Sequence, residues 1–126
     1  MRDRSHISVV DDDASIREAL ANLISSVGYE VELYASAEEF LSSTEARMAA
    51  CLVLDLRMPG MGGLELLRRL TAEGREPPVI VITAQGDDET RAESLAAGAV
   101  AFLNKPFKEE TILGAIDSAL AINGRE

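Results

Sequence analysis

Three consecutive aspartates, Asp11, Asp12 and Asp13, close the apolar run "ISVV" within the stretch "ISVVDDDAS". Like charges about 4 Å apart repel by roughly 4 kcal/mol at the effective dielectric of a protein surface, so carboxylates that converge there need positive charge from elsewhere. Further along, Asp55 ends "CLVLD", Thr83 ends "VIVIT", and Lys105 with Pro106 follows "VAFL". Each has an ordinary explanation by itself: a turn or cap acid, a strand threonine, a solvated lysine. Together they form a set of hard oxygen donors with one hydroxyl and one ammonium. Such a set suits a divalent cation, most simply Mg²⁺, held by one or two carboxylates with waters and a phosphate oxygen. Magnesium and Lys105 would balance the acids and leave one carboxylate free to attack a phosphoryl group. Asp55 is the candidate nucleophile, because it ends a buried strand nearest the middle of the rim.

Those residues need elements that bring them together. Five β-rich runs, at residues 7–10, 30–35, 51–54, 79–83 and 100–103, alternate with helical patterns. This order predicts an α/β domain with a parallel sheet covered by helices on both faces. Ligands bind beyond the carboxyl ends of the strands in such sheets, which is where the chemistry-bearing residues fall. Four runs are nearly continuous in apolar residues, whereas Glu30, Glu32 and Tyr34 alternate with Val31, Leu33 and Ala35, so the second strand is expected at an edge. Ile16, Leu20, Leu23, Ile24 and Val27 recur at helical spacing before Gly28. Ser15 with Glu18 and Ser36 with Glu39 have capping-box spacing. Leu64, Leu67 and Leu70 form the stripe of a third helix ending at Gly74; Ile112, Ile116, Ala119 and Leu120 form that of the last. The fourth helix, over 87–97, offers only Ala92, Leu95 and Ala96 to a core and is expected to be the most weakly anchored.

Length and composition narrow the function classes. A chain of 126 residues, 47% hydrophobic and without tryptophan, suits one domain with an aliphatic core. Its net charge of −10 repels nucleic-acid backbones, so no direct nucleic acid binding is expected. The single cysteine, Cys51, lies in an apolar run and reads as a buried small hydrophobe. No apolar run approaches the 18 or so residues of a membrane span, and the N-terminus lacks a signal-peptide pattern, so a cytoplasmic protein with no membrane association is expected.

The motifs "VVDDD" (9–13), "LVLDLRMPGMGG" (52–63), "VIVITA" (79–84) and "AFLNKPF" (101–107) resemble, in wording and spacing, the response-regulator receiver domains of two-component signalling. The wording "DLRMPGMGG" and "NKPF" is most similar to the FixJ-type subgroup. The resemblance implies a three-layer (βα)5 flavodoxin-like fold with strand order 2-1-3-4-5, a receiver domain over residues 1–121, and a tail or linker start over 122–126. It implies that Asp55 accepts a phosphoryl group from the phosphohistidine of a sensor histidine kinase. Asp12 would bind Mg²⁺ directly, Asp11 largely through water, and the backbone carbonyl of Arg57 would supply a further oxygen, with Mn²⁺ as a substitute ion. Thr83 and Lys105 would contact the transferred phosphoryl, and Phe102 would be the switch aromatic that turns inward. The bond before Pro106 is a candidate cis peptide. The implied partners are the kinase and an output domain or protein, reached through the face of the fourth helix, fifth strand and last helix, with a phosphorylation-linked homodimer as a further expectation. Regulation of transcription is the implied output.

Some positions depart from that pattern or fall outside it. Phe102 replaces the tyrosine of many relatives, so burial rather than a phenol hydroxyl must drive its switch. Asp13 reads as a solvated or capping side chain. Arg57 and Gln85, two residues beyond Asp55 and Thr83, stand where they could screen the acyl phosphate from water and set its lifetime. Met58 and Met61 read as packing or surface residues, and His6, ahead of the first strand, as structural or exposed. Three other functions compete. A haloacid-dehalogenase-like phosphohydrolase would need an acid two residues after the nucleophile, where Arg57 stands and cannot donate a proton near neutrality. A flavin or nucleotide carrier would need a phosphate-binding loop where the three aspartates repel phosphate. A phosphorylation-independent interaction module on the same fold is the remaining alternative, although such modules usually lack a key residue. The sequence is read as a switch, not an enzyme beyond its own phosphorylation and dephosphorylation.

Overall fold

The computed structural model describes residues 6–43, 49–74, 77–84 and 86–124, with 122–124 described by backbone alone. Strands β1 (His6–Val10), β2 (Glu30–Tyr34), β3 (Cys51–Asp55), β4 (Val79–Thr83) and β5 (Ala101–Asn104) alternate with five helices. These are α1 (Ala14–Ser26), α2 (Ala37–Ser42), α3 (Gly63–Glu73), α4 (Asp88–Ala96) and α5 (Glu109–Gly124). All pairings are parallel, in the order β2-β1-β3-β4-β5, so the predicted three-layer α/β fold and the edge position of β2 are both present.

Strand alternation sends side chains to opposite faces and builds two cores. Ile7, Val9, Cys51, Val53, Ile80 and Ile82 pack against Leu20 and Ile24 of α1 and Ile112, Ile116 and Ala119 of α5. Val10, Leu52, Leu54, Val79 and Val81 meet Ala37 and Phe40 of α2 and Leu66, Leu67 and Leu70 of α3 on the other face. β1, β3 and β4 are covered on both sides, which explains their continuous apolar sequences. The chain moves outward from β1 to β2 and then crosses to β3. The strand order therefore reverses between β1 and β3, and a crevice opens beyond their carboxyl ends, where Asp11 and Asp55 stand.

Local signals set most boundaries. Gly74 closes α3 with φ 70°, and Gly28, φ 100°, follows the end of α1. Ser36 caps α2 by accepting from the Glu39 amide at 3.0 Å, while the Glu39 carboxylate reaches back to the Ala35 amide at 2.9 Å. Other details differ from the sequence reading. α1 begins two residues earlier than a Ser15 cap would place it, because Asp13 is the cap. In α3, Leu66 takes the core position and Leu64 stays half-buried, since the helix starts with Gly63 pressed against β3 and this fixes its rotation. In α4 the expected core residues Ala92, Leu95 and Ala96 are all exposed and Ser94 alone is buried. Two alanines supply too little apolar area to orient a helix. The α4 C-terminus is set by Thr71 of α3, whose hydroxyl donates to the Ala97 carbonyl at 2.9 Å, and Ser94 is buried with its hydroxyl satisfied by the Thr90 carbonyl at 2.9 Å. His6 lies inside β1 rather than ahead of it. The backbone of α5 stays helical through Gly124.

Candidate functional site

The three aspartates that open the site do not all converge. Asp11 is fully buried, and both its oxygens are engaged: Oδ1 accepts from the Asp13 amide at 2.9 Å and Oδ2 from Lys105 Nζ at 3.0 Å. Asp13 turns away and caps α1, accepting from the amides of Ser15 at 2.8 Å and Ile16 at 3.4 Å. Its charge is thereby placed at the positive end of a helix rather than in the pocket. Asp12 remains exposed at the rim. Arg17, one turn into α1, donates from Nη1 to the Asp11 carbonyl at 2.7 Å and fixes the backbone of the buried acid.

Asp55 ends β3 with 3% of its surface exposed. Its Oδ1 accepts from the Arg57 amide at 3.4 Å and lies 3.6 Å from Lys105 Nζ. Burial pushes the Asp55 carboxyl up to about 6, and the Asp11 charge adds to this; Lys105 and the Arg57 amide act in the opposite direction, and Asp12 raises it slightly further. Burial alone would lower the pKa of the Lys105 ammonium, but the hydrogen bond and charge of Asp11, with the charge of Asp55, leave it raised. Lys105 therefore stays charged at neutral pH. Asp11, Asp12 and Asp55 each offer a carboxylate oxygen, and these lie within 4.8 Å of one another. One ammonium faces three carboxylates, so the pocket is short of positive charge and its donors are all hard oxygens. That donor set fits a divalent cation such as Mg²⁺.

The glycine that opens α3 lets the helix begin against this pocket. A Cβ on Gly63 would collide with the Asp55 carbonyl oxygen and stand 2.8 Å from Leu56 Cα, so only glycine permits the approach. Thr83 is fully buried at the end of β4, in register with Asn104 of β5. Phe102, 7% exposed, already faces inward; the Arg91 guanidinium stands 5.9 Å from its ring centroid, and Gly86 passes so close that a Cβ there would lie 2.7 Å from the ring. Arg57 is exposed, and the Lys105–Pro106 peptide is cis. Cys51 is buried, and its thiol is pushed up to about 12 by desolvation, in keeping with a packing role. Met58 and Met61 pack against the core on the α2/α3 face. Gln85 lies outside the described residues. Arg17, Glu38 and Asn104, which accepts from the Gly86 amide at 3.1 Å, were not singled out from sequence. Each acts through a backbone group far away in the chain or across a turn, and no residue pattern announces such a contact.

A parallel five-stranded sheet in the order β2-β1-β3-β4-β5, with buried acids, a hydroxyl and an ammonium at its carboxyl rim, places the chain in the flavodoxin-like α/β class. Within that class, the response regulator receiver domain family model matches residues 7–117, and the chain belongs to this family. The response regulator protein TodT of Pseudomonas putida is 44% identical over 123 residues, covering 97% of this chain and 54% of TodT. The transcriptional regulatory protein FixJ of Bradyrhizobium diazoefficiens is 39% identical over 120 residues, covering 95% of this chain and 58% of FixJ. Among solved structures, the response regulator StyR is similar with a TM-score of 0.88 and 45% identity, over 96% of this chain and 61% of that one. The chain thus spans little more than half the length of the curated relatives it matches. It is a two-component response-regulator receiver domain, and the resemblance to the FixJ-type subgroup holds at the level of these relatives. Among the described residues, no helix is long and apolar enough to cross a membrane.

Proposed function

We propose that Asp55 is the phosphoacceptor of this receiver and that its phosphorylation by a sensor histidine kinase requires a divalent cation. The observation that carries the reading is the placement of Asp55: buried at a strand end, 3.6 Å from Lys105 Nζ, with Asp11 and Asp12 oxygens within 4.8 Å. An Asp55 carboxylate oxygen attacks phosphorus, the new O–P bond forms, and the P–N bond to the kinase imidazole breaks with its electron pair returning to that ring. Asp11, Asp12, Asp55 and the Arg57 carbonyl would hold Mg²⁺, or Mn²⁺ in its place. When bound, the ion supplies positive charge that lowers repulsion between carboxylate and phosphoryl group. Lys105 supplies the fixed charge on the other side, and the Thr83 hydroxyl meets a phosphoryl oxygen after transfer. Hydrolysis of the acyl phosphate by water returns Asp55 and releases phosphate, so the chemistry is confined to the domain's own phosphoryl group.

The switch follows from the charge added, about −1.5 to −2 beside the metal site. Thr83 moves toward that charge, and Phe102, inward in this structure, is held there more firmly in the phosphorylated state than in the other. The α4-β5-α5 face then differs between the states, and an output domain, a partner protein or a second copy of the chain reads the difference. Leu95 and Val100, 40% and 42% exposed on this face, supply apolar contact area for such a partner. Transcriptional control is the output suggested by FixJ, and the net charge of −10 points to a protein partner rather than direct contact with DNA. In this reading residues 1–121 form the receiver unit and 122–126 are a tail or the start of a linker, in a cytoplasmic signalling protein. Incubation with acetyl phosphate and Mg²⁺ followed by intact-mass measurement tests the reading. One added phosphoryl group, absent in Asp55→Asn and without the cation, is expected; an unmodified wild-type chain leaves the phosphorylation-independent interaction module as the correct description.

A further inference from the structure

We propose that Glu38 is a positioning residue for the cation pocket: from α2 it latches the loop of residues 56–62, and so holds the Arg57 carbonyl where the cation needs an oxygen. The inference rests on the proposed function of that carbonyl and adds a residue on a different element, 23 positions away in the chain.

The loop joins β3 to α3 and carries "LRMPGMG", with Gly63 next to it as the first residue of α3. Glycines at 60, 62 and 63 give this segment considerable backbone freedom to lose on ordering. Its two ends are tied locally, the Arg57 amide to Asp55 Oδ1 at 3.4 Å and the Gly63 amide to the Leu56 carbonyl at 3.1 Å. Its tip is tied from outside. The Met61 amide donates to Glu38 Oε2 at 3.0 Å, and this bond holds the Glu38 carboxyl below its ordinary value. Gly60, at φ 75°, turns its bare face to the same carboxylate: a Cβ there would lie 2.8 Å from Glu38 Oε2 and 3.5 Å from Cδ. The carboxylate thus fills the concave side of the turn that Gly60 makes.

The mount for this latch is firm. α2 has only six residues, yet Ser36 caps it, Glu39 returns to the Ala35 amide, and Ala37 and Phe40 are buried, with Phe40 edge-on to Tyr34 at 5.3 Å between ring centroids. The adjacent glutamates have divided roles: Glu39 closes the helix start, while Glu38 reaches across to the loop. Removing Glu38 leaves the loop with its end ties and the side-chain packing of Met58 and Met61, but with no hydrogen bond shown at its tip among the described residues, and the Arg57 carbonyl lies on the stretch between the end ties. Groups that orient ligands from outside a metal's immediate shell typically change affinity by about 10–100-fold. Glu38 acts one step further out, through an exposed bond, so a smaller loss is expected.

The experiment is a magnesium titration of the full chain followed by amide chemical shifts of residues 11–13 and 57, with hydrogen exchange at the Met61 amide. Wild type and Asp12→Asn establish whether the pocket binds the ion. Glu38→Ala is expected to bind roughly three- to tenfold more weakly, with faster Met61 exchange, and Glu38→Gln, which keeps an acceptor oxygen, to recover most of both. Gly60→Ala is expected to weaken binding in the wild type and to weaken it less in the Glu38→Ala background, because the collision with the carboxylate is gone. Unchanged magnesium affinity in Glu38→Ala alongside faster Met61 exchange overturns the positioning role, and unchanged exchange overturns the latch itself. A wild type whose pocket shows no response to magnesium overturns the underlying cation reading, and the inference with it.

Discussion

Replacing Asp55 with asparagine removes the one carboxylate that burial pushes up to about 6, from 3.8 when free. Between those values the folded chain binds more protons than the unfolded chain, so the stability of the wild type falls as pH rises through this window and stays lowered above it. The difference between these two values corresponds to on the order of 3 kcal/mol of destabilisation at neutral pH in the absence of a cation. The asparagine variant is free of this penalty, and Lys105 retains its 3.0 Å partner Asp11. Urea unfolding of both proteins in magnesium-free buffer, at a series of pH values from below 3.8 to well above 6, measures the effect. Asp55→Asn should match the wild type at the acid end and exceed it by on the order of 3 kcal/mol at neutral pH, with an unchanged denaturant slope. Saturating magnesium should close the gap, because an ion that binds only the folded wild type stabilises it by mass action. A stability difference that does not vary with pH, or an asparagine variant less stable than the wild type at neutral pH, refutes the placement of an uncompensated charge in this pocket.

Three further outcomes can be checked by the same unfolding measurements. Lys105→Met leaves Asp11 and Asp55 without their shared cation and should cost about 3 kcal/mol at neutral pH, recovered in part as pH falls and Asp55 protonates. Ser8, 1% exposed in β1, carries a buried hydroxyl that has no hydrogen-bond partner among the described residues, so Ser8→Ala should stabilise the domain by about 1 kcal/mol; a loss of stability would mean the hydroxyl is satisfied in solution. Asp13→Ala should cost about 1 kcal/mol as the lost cap of α1, whereas Ser15→Ala should change stability by less than about half that; the reverse order would restore Ser15 as the cap.

The parts of the site readable from sequence are those fixed by strand ends. Asp55, Thr83 and the Asp11–Asp13 acids interrupt apolar runs that a two-sided sheet requires, so their place at one rim follows once the alternation of strand and helix is recognised. The weak anchorage of α4 was also legible, because its stretch has almost no apolar area to bury. Which of its residues face the sheet was not: Ser94 rather than Leu95 is inside, since Thr71 and the Gly98 turn set the rotation that three small or weakly placed apolar residues could not.

Local order along the chain therefore determined the fold class, the strand sequence and the list of groups at the rim. Only the folded arrangement decided how those groups divide their tasks. Adjacent aspartates with identical side chains are separated into a buried partner of Lys105, an exposed rim acid and a helix cap, because each meets a different environment within a few ångströms. Lys105 reaches Asp11 across 94 positions, and Glu38 reaches Met61 across 23. Such contacts depend on the packing of whole elements, and electrostatic energy depends on distance and burial, which spacing in a linear sequence does not specify.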